Sequence, residues 1–257
     1  LYRDAYGIND KRGNEINMDY LLTFSIIALA ALIHASFQLG ISMVTLLSGH
    51  AAGRSAPCGR SLGLIGAFLF GTLVMTSLII SMISYVSSSL FHQKVPTFAW
   101  SAACGVMIAI GIAVWTFYYR RGSGTSLWIP RGFAQFLTNR IKATRSRTEA
   151  FSLGMSGVLS ELIFIIGPTT ATAFSLVSLP PRLQLLGILL YVFVASLGMI
   201  IVTILIGSGH SISRIQRWRE TNKRFLQFAA GSGLVILGFY LYANEVVTDS
   251  ISLLGGR

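Results

Sequence analysis

Six long runs of apolar residues, separated by short polar stretches, dominate the chain; they fall at about 20–48, 61–90, 98–119, 150–177, 183–206 and 225–244. Each reaches the roughly 20 residues a helix needs to cross about 30 Å of hydrocarbon. A membrane β-barrel would show short alternating segments instead, so the pattern predicts six helices. Ahead of them, residues 1–17 are polar and mixed in charge, carry no cleavable signal pattern, and read as a polar N-terminal tail. Met18 directly precedes the first run and would make a natural start.

The longest polar stretch, 123–149, has a periodicity of its own. Ile129, Phe133, Phe136, Leu137 and Ile141 recur at helix-like spacing, with Arg131, Gln135, Lys142 and Arg145 on the opposite face. This predicts a basic amphipathic helix lying on the inner leaflet and joining two halves.

The polar interruptions within the runs repeat. With an offset of 127, His34 falls on Glu161, Phe37 on Phe164, Gly40 on Gly167, Ser42 on Thr169 and Thr45 on Thr172. The same offset puts Ala103 and Gly111 on Ala230 and Gly238. The chain divides accordingly into the tail 1–17, a first repeat 18–122, the linker 123–149 and a second repeat 150–257. Three spans is an odd number, so the second copy must be inverted relative to the first. The expected fold is an all-α integral membrane protein, six transmembrane helices in two inverted three-helix repeats.

Composition agrees: of 257 residues, 53% are hydrophobic and only 11% charged. The formal net charge of +11 would suggest nucleic acid until its distribution is considered. The loops after the first, third and fifth runs hold fourteen basic residues, from Arg54 to Arg224, against Glu149 and Glu220. The other side holds six, among them Lys94 and Arg182, balanced by six acids. The positive-inside rule then puts both termini outside the cytoplasm, with the plasma membrane as the expected location. The basicity is topology and headgroup attraction rather than DNA binding.

Glu161 is the only acidic residue placed inside the hydrocarbon, where a carboxylate costs about 3 kcal/mol unless protonated, paired or hydrated. His34 lies near mid-depth in the first run with Gln38 one turn on along the same face. An inverted repeat would bring His34 and Glu161 together, either as coupling groups for a proton or cation or as interhelical glue. Pro168 is the only proline within a run; with Gly167 before it and Thr169, Thr170 and Thr172 after it, it reads as a helix break with freed carbonyls and hydroxyls, or as a plain kink. Gly40 marks the same place in the first half. Cys58 and Cys104 fall at different depths, and no zinc-type spacing, phosphate loop or nucleophile elbow is present. No enzyme activity, metal or cofactor is therefore expected.

The six runs, the inverted repeat, Gly167-Pro168 and the glycines of the last run, Gly231, Gly233 and Gly238, resemble the lysine exporter (LysE) superfamily. That group includes amino-acid exporters, metal exporters and the membrane domain of the cytochrome c biogenesis thiol carriers. Locally the chain is most similar to the last, whose Cys-x-Gly-Pro pairs with a second cysteine to pass electrons. Ile165 and Gln38 stand at those two cysteine positions, so the relay is absent. The resemblance implies a secondary transporter, an exporter of a small solute or ion, with the lipid bilayer and that solute as partners. Self-association stays open, and the alternative is a non-transporting accessory or assembly factor on the same fold.

Overall fold

In a computed structural model the chain is all-helical among its described residues, which are 2–37, 40–52, 58–92, 94–118, 131–208, 212–249 and 251; for 2–17, 50–52, 58–61, 117–118, 131–134, 137, 212–213, 215–216, 219–220 and 223 only the backbone is described. The helices are α1 (Tyr2–Ser36), α2 (Gly40–Ala52), α3 (Cys58–Phe91), α4 (Thr97–Tyr118), α5 (Arg131–Ala143), α6 (Arg147–Val177), α7 (Pro181–Gly207) and α8 (Ile212–Leu241), the last continued by a π-helix, Tyr242–Val247. Six of them are long and apolar enough to cross a membrane, at Met18–Ser36, Leu62–Phe91, Thr97–Thr116, Arg147–Val177, Pro181–Gly207 and Arg224–Val247. Their outward faces carry bare apolar side chains such as Phe70, Met82, Leu186 and Ile236. Large apolar residues scattered over every outer face are what a lipid solvent tolerates.

Local chemistry sets the helix ends. His92, in the left-handed region at φ 58, stops α3, and Pro96 accepts from Ala99 and Trp100 to start α4. Ser146 and Glu149 form a reciprocal capping box at the start of α6. Pro180-Pro181 opens α7, where the missing N–H groups would have had no partner anyway.

The two expected breaks come out differently. The first run is divided at the Gly40 marked in the sequence: α1 ends at Ser36 and a shorter apolar helix, α2, begins at Gly40. The turn is made by Phe37 N–H on the His34 carbonyl at 3.0 Å, a 3₁₀-type bond that tightens the end of α1. The break expected at Gly167-Pro168 needs correction, because α6 runs continuously through both. Close packing on that face accounts for it. A Cβ at Gly167 would come within 2.5 Å of Met107 Cγ, so the glycine lets α4 approach, and Pro168 beside it is buried.

The spans pack in a definite pattern: α3 on α6 and α7, α1 on α6, α7 and α8, α4 on α6 and α8, and α2 on α3 and α7. The closest approach is α3 on α6. A Cβ at Gly71 would run into the Phe151 carbonyl oxygen, and one at Gly154 into that of Phe68, so each helix presents a glycine to the other's backbone. Thr72 adds a hydrogen bond across this contact to the Gly154 carbonyl, at 3.3 Å. Small residues with an interhelical hydroxyl are the means by which membrane helices gain contact area without a hydrophobic drive. On α4 and α8, Gly111 and Gly231 likewise face each other, and Gly238 faces the Cys104 carbonyl.

The amphipathic helix of the linker is α5, and it does more than connect. Its Ile141 is buried in one apolar cluster with Met43, Val44 and Leu47 of α2, while Phe136 stays half exposed beneath Arg140. Trp128 and Ile129 lie outside the described residues.

Candidate functional site

The interruption between α1 and α2 lies against the middle of α6, and two polar systems meet there. The first is Glu161. Its carboxylate is buried at 3% exposure and accepts a hydrogen bond from the Gly40 N–H at 3.0 Å, at the first residue of α2. The first N–H groups of any helix lack intrahelical partners, and the aligned peptide dipoles make that end attractive to an anion. Glu161 therefore caps a half-helix that starts inside the bundle. Gly40 leaves room for a neighbour at this point: a Cβ there would meet Met199 Sδ at 2.6 Å, so a larger residue asks that side chain to move.

The second system starts at His34, in the last turn of α1 and 1% exposed. Its Nδ1 lies 2.9 Å from the Tyr191 hydroxyl, which in turn lies 3.1 Å from Thr169 Oγ1. Thr169 donates its own hydrogen to the Ile165 carbonyl at 2.6 Å. That last bond orders the chain. With its hydrogen engaged, Thr169 accepts from Tyr191, and the Tyr191 oxygen accepts from His34 Nδ1–H. In the neutral ring Nε2 is then the acceptor nitrogen. One chain of donors thus links α1, α7 and α6.

Between the two systems Phe37 and Phe164 stack, ring centroids 5.4 Å apart and planes 11° from parallel. One turn past Thr169, Thr172 is fully buried, and its hydroxyl has no hydrogen-bond partner among the described residues; Ser196 on α7 is in the same state. An unsatisfied buried hydroxyl costs about 1–3 kcal/mol, so such groups mark strain or a place for a ligand.

The structure gives His34 a phenol and Glu161 a backbone donor, and it gathers His34, Gly40, Glu161 and Thr169 around the interruption, with Thr172 buried about one turn further along α6. Gln38 lies outside the described residues. Gly167 and Pro168 belong to the packing of α6 rather than to a break in it. Tyr191 escapes a sequence reading aimed at charge and repeat, since its 127-offset counterpart is Leu64; the signal was a lone phenol inside the apolar stretch Leu189-Leu190-Tyr191-Val192. Cys104 is buried within α4 as a free thiol. Among the described residues, no three His, Cys, Asp or Glu side chains gather so as to hold a metal ion.

Comparison with known proteins finds no matching family model, no matching curated protein and no matching solved structure.

Proposed function

We propose that this chain is a multi-pass membrane protein of two inverted three-helix repeats that moves a small solute or ion across the bilayer as a secondary transporter. The observation that carries this reading is the interrupted first span, whose second half begins in the protein interior with the Glu161 carboxylate on its Gly40 N–H. Discontinuous helices whose inner ends meet at mid-depth are how transporters of this architecture bind charged groups without unsatisfied backbone. Glu161 and His34 are the coupling groups, and Thr172 is a ligating hydroxyl.

The inverted repeat is supported by the packing pattern. Exchanging first span with fourth, second with fifth and third with sixth turns the contact of first on fifth (α1 on α7) into fourth on second (α6 on α3), and third on fourth (α4 on α6) into sixth on first (α8 on α1). The 127 offset likewise converts the Gly111 and Gly231 contact into that of Gly238 and Cys104. The charge asymmetry supports a plasma-membrane orientation with both termini outside. The lysine exporter superfamily remains the kinship we favour, on the resemblance of the runs alone.

A second reading, a non-transporting accessory factor, is favoured by the hydrogen bonds themselves, since His34 and Glu161 both find protein partners. Flux in proteoliposomes under an imposed proton gradient separates the two. The transporter reading expects proton movement coupled to one of a panel of small cations and amino acids, abolished in Glu161→Gln. Coupled flux that persists unchanged in the variant removes Glu161 from the mechanism. Absence of flux for every solute leaves the accessory reading.

A further inference from the structure

A second polar place lies at the far end of the bundle, where the first turns of the spanning part of α1, the α3–α4 turn, the end of α6 and the π-helix line a cavity of about 380 Å³. Ligand cavities begin at about 300 Å³, so this one suits a small molecule. Its apolar wall is Trp100 and Phe174, buried and packed edge to face at 5.2 Å. Its polar wall is Asn244 and Glu245 from the π-helix, facing Thr23, Ser175 and Ser178. Wide turns of this kind are rare and recur at functional sites.

The hydrogen bonds decide what the cavity can accept. Thr23 donates to the Asp19 carbonyl at 2.9 Å, Ser175 to that of Ala171 at 2.9 Å and Ser178 to that of Ser175 at 3.1 Å. Each hydroxyl has engaged its single hydrogen, so what remains for a ligand is oxygen lone pairs. Lys94, at the rim, is held by Asp249, with its Nζ 2.8 Å from one carboxylate oxygen and 3.0 Å from the other. Glu245 receives the Asn244 amide at 2.8 Å and has no ion-pair partner among the described residues. Lys94 and Glu245 are the charged residues of the lining, and Asp249, outside it, pairs with Lys94 and leaves Glu245 as the uncompensated charge. The cavity offers more acceptors than donors and is aromatic on one side.

We infer that this cavity is a binding site for a small organic cation, a protonated primary amine on an apolar body. Its ammonium bonds Glu245 and the serine oxygens, and its body lies against Trp100 and Phe174. A carboxylate or phosphate would meet acceptors and is disfavoured. The inference does not depend on the transport reading, because its test is equilibrium binding.

The probe is benzylamine, with benzyl alcohol and phenylacetate as uncharged and anionic counterparts. Each is titrated by calorimetry at neutral pH into the full chain in lipid nanodiscs, with empty nanodiscs subtracted. Benzylamine is expected to bind at least tenfold tighter than the other two, and Glu245→Gln to weaken it about tenfold while leaving benzyl alcohol unchanged. Ser178→Phe, which fills the mouth without touching the carboxylate, is expected to abolish amine binding and serves if Glu245→Gln does not fold. Equal affinity for amine and alcohol, amine binding undiminished in folded Glu245→Gln, or amine binding that persists in folded Ser178→Phe overturns the assignment.

Discussion

Phe37 and Phe164, which a 127-residue offset aligns, stack on one another at 5.4 Å. Residues related by an internal two-fold touch each other only where they lie on its axis, so the inverted repeat proposed above would run its axis through this pair. Each ring sits one turn from a polar group of the interruption, Phe37 after His34 and Phe164 after Glu161.

Tyr191→Phe removes the hydroxyl that joins His34 to Thr169 and leaves both with one partner fewer. A loss of about 1–2 kcal/mol is expected, in line with interhelical hydrogen bonds in membranes. Reversible unfolding in mixed micelles measures it. Thr169→Val should cost less on the Tyr191→Phe background than alone, because the two groups share one chain.

Glu161→Gln keeps an oxygen for the Gly40 N–H, whereas Glu161→Ala removes it. The glutamine variant is expected to retain stability within about 1 kcal/mol, and the alanine variant to lose about 1–2 kcal/mol through the uncapped start of α2. The same unfolding assay reads both, and faster amide exchange confined to α2 in the alanine variant would locate the loss.

Gly154→Ala drives a methyl into the Phe68 carbonyl and must push α6 from α3. Destabilisation of about 1–3 kcal/mol is expected from such overpacking. Gly66→Ala supplies the control: a Cβ there meets nothing within 4 Å, so the same substitution should be neutral or stabilising by up to about 1 kcal/mol. Thermal melts of the two variants in one detergent compare them directly.

Ile141→Ala empties the place where α5 enters the apolar cluster of α2, at an expected cost of about 2–4 kcal/mol in the contact between them. Phe136→Ala, on the half-exposed face, should stay within about 0.5 kcal/mol. Limited proteolysis of the 123–149 stretch distinguishes them, with accelerated cleavage expected for Ile141→Ala alone.

The number and place of the spans were readable because an apolar run of some twenty residues has one stable solution in lipid. The amphipathic α5 was readable for a similar reason, since its faces alternate at helical period. The split of the first run was marked only by Gly40 and the repeat; what secures it is a carboxylate 121 residues away that satisfies the new helix start, which no local signal shows. At Pro168 the local signal was strong, yet α6 stays continuous, with the proline buried on a packed face. Glu161 and His34 were found by their rarity at depth and Thr169 by its place after Pro168, whereas Tyr191 hid among residues nearly as apolar as itself.

The reciprocal glycines of α3 and α6 limit how this bundle can change shape. Each backbone rests on the other through a hydrogen atom alone, and a slide of one residue would bring a side chain to that point on both helices. Shear along this seam is therefore opposed, and α3 and α6 behave as a single stiff unit to which α2 and, through Ile141, α5 are attached by one apolar cluster.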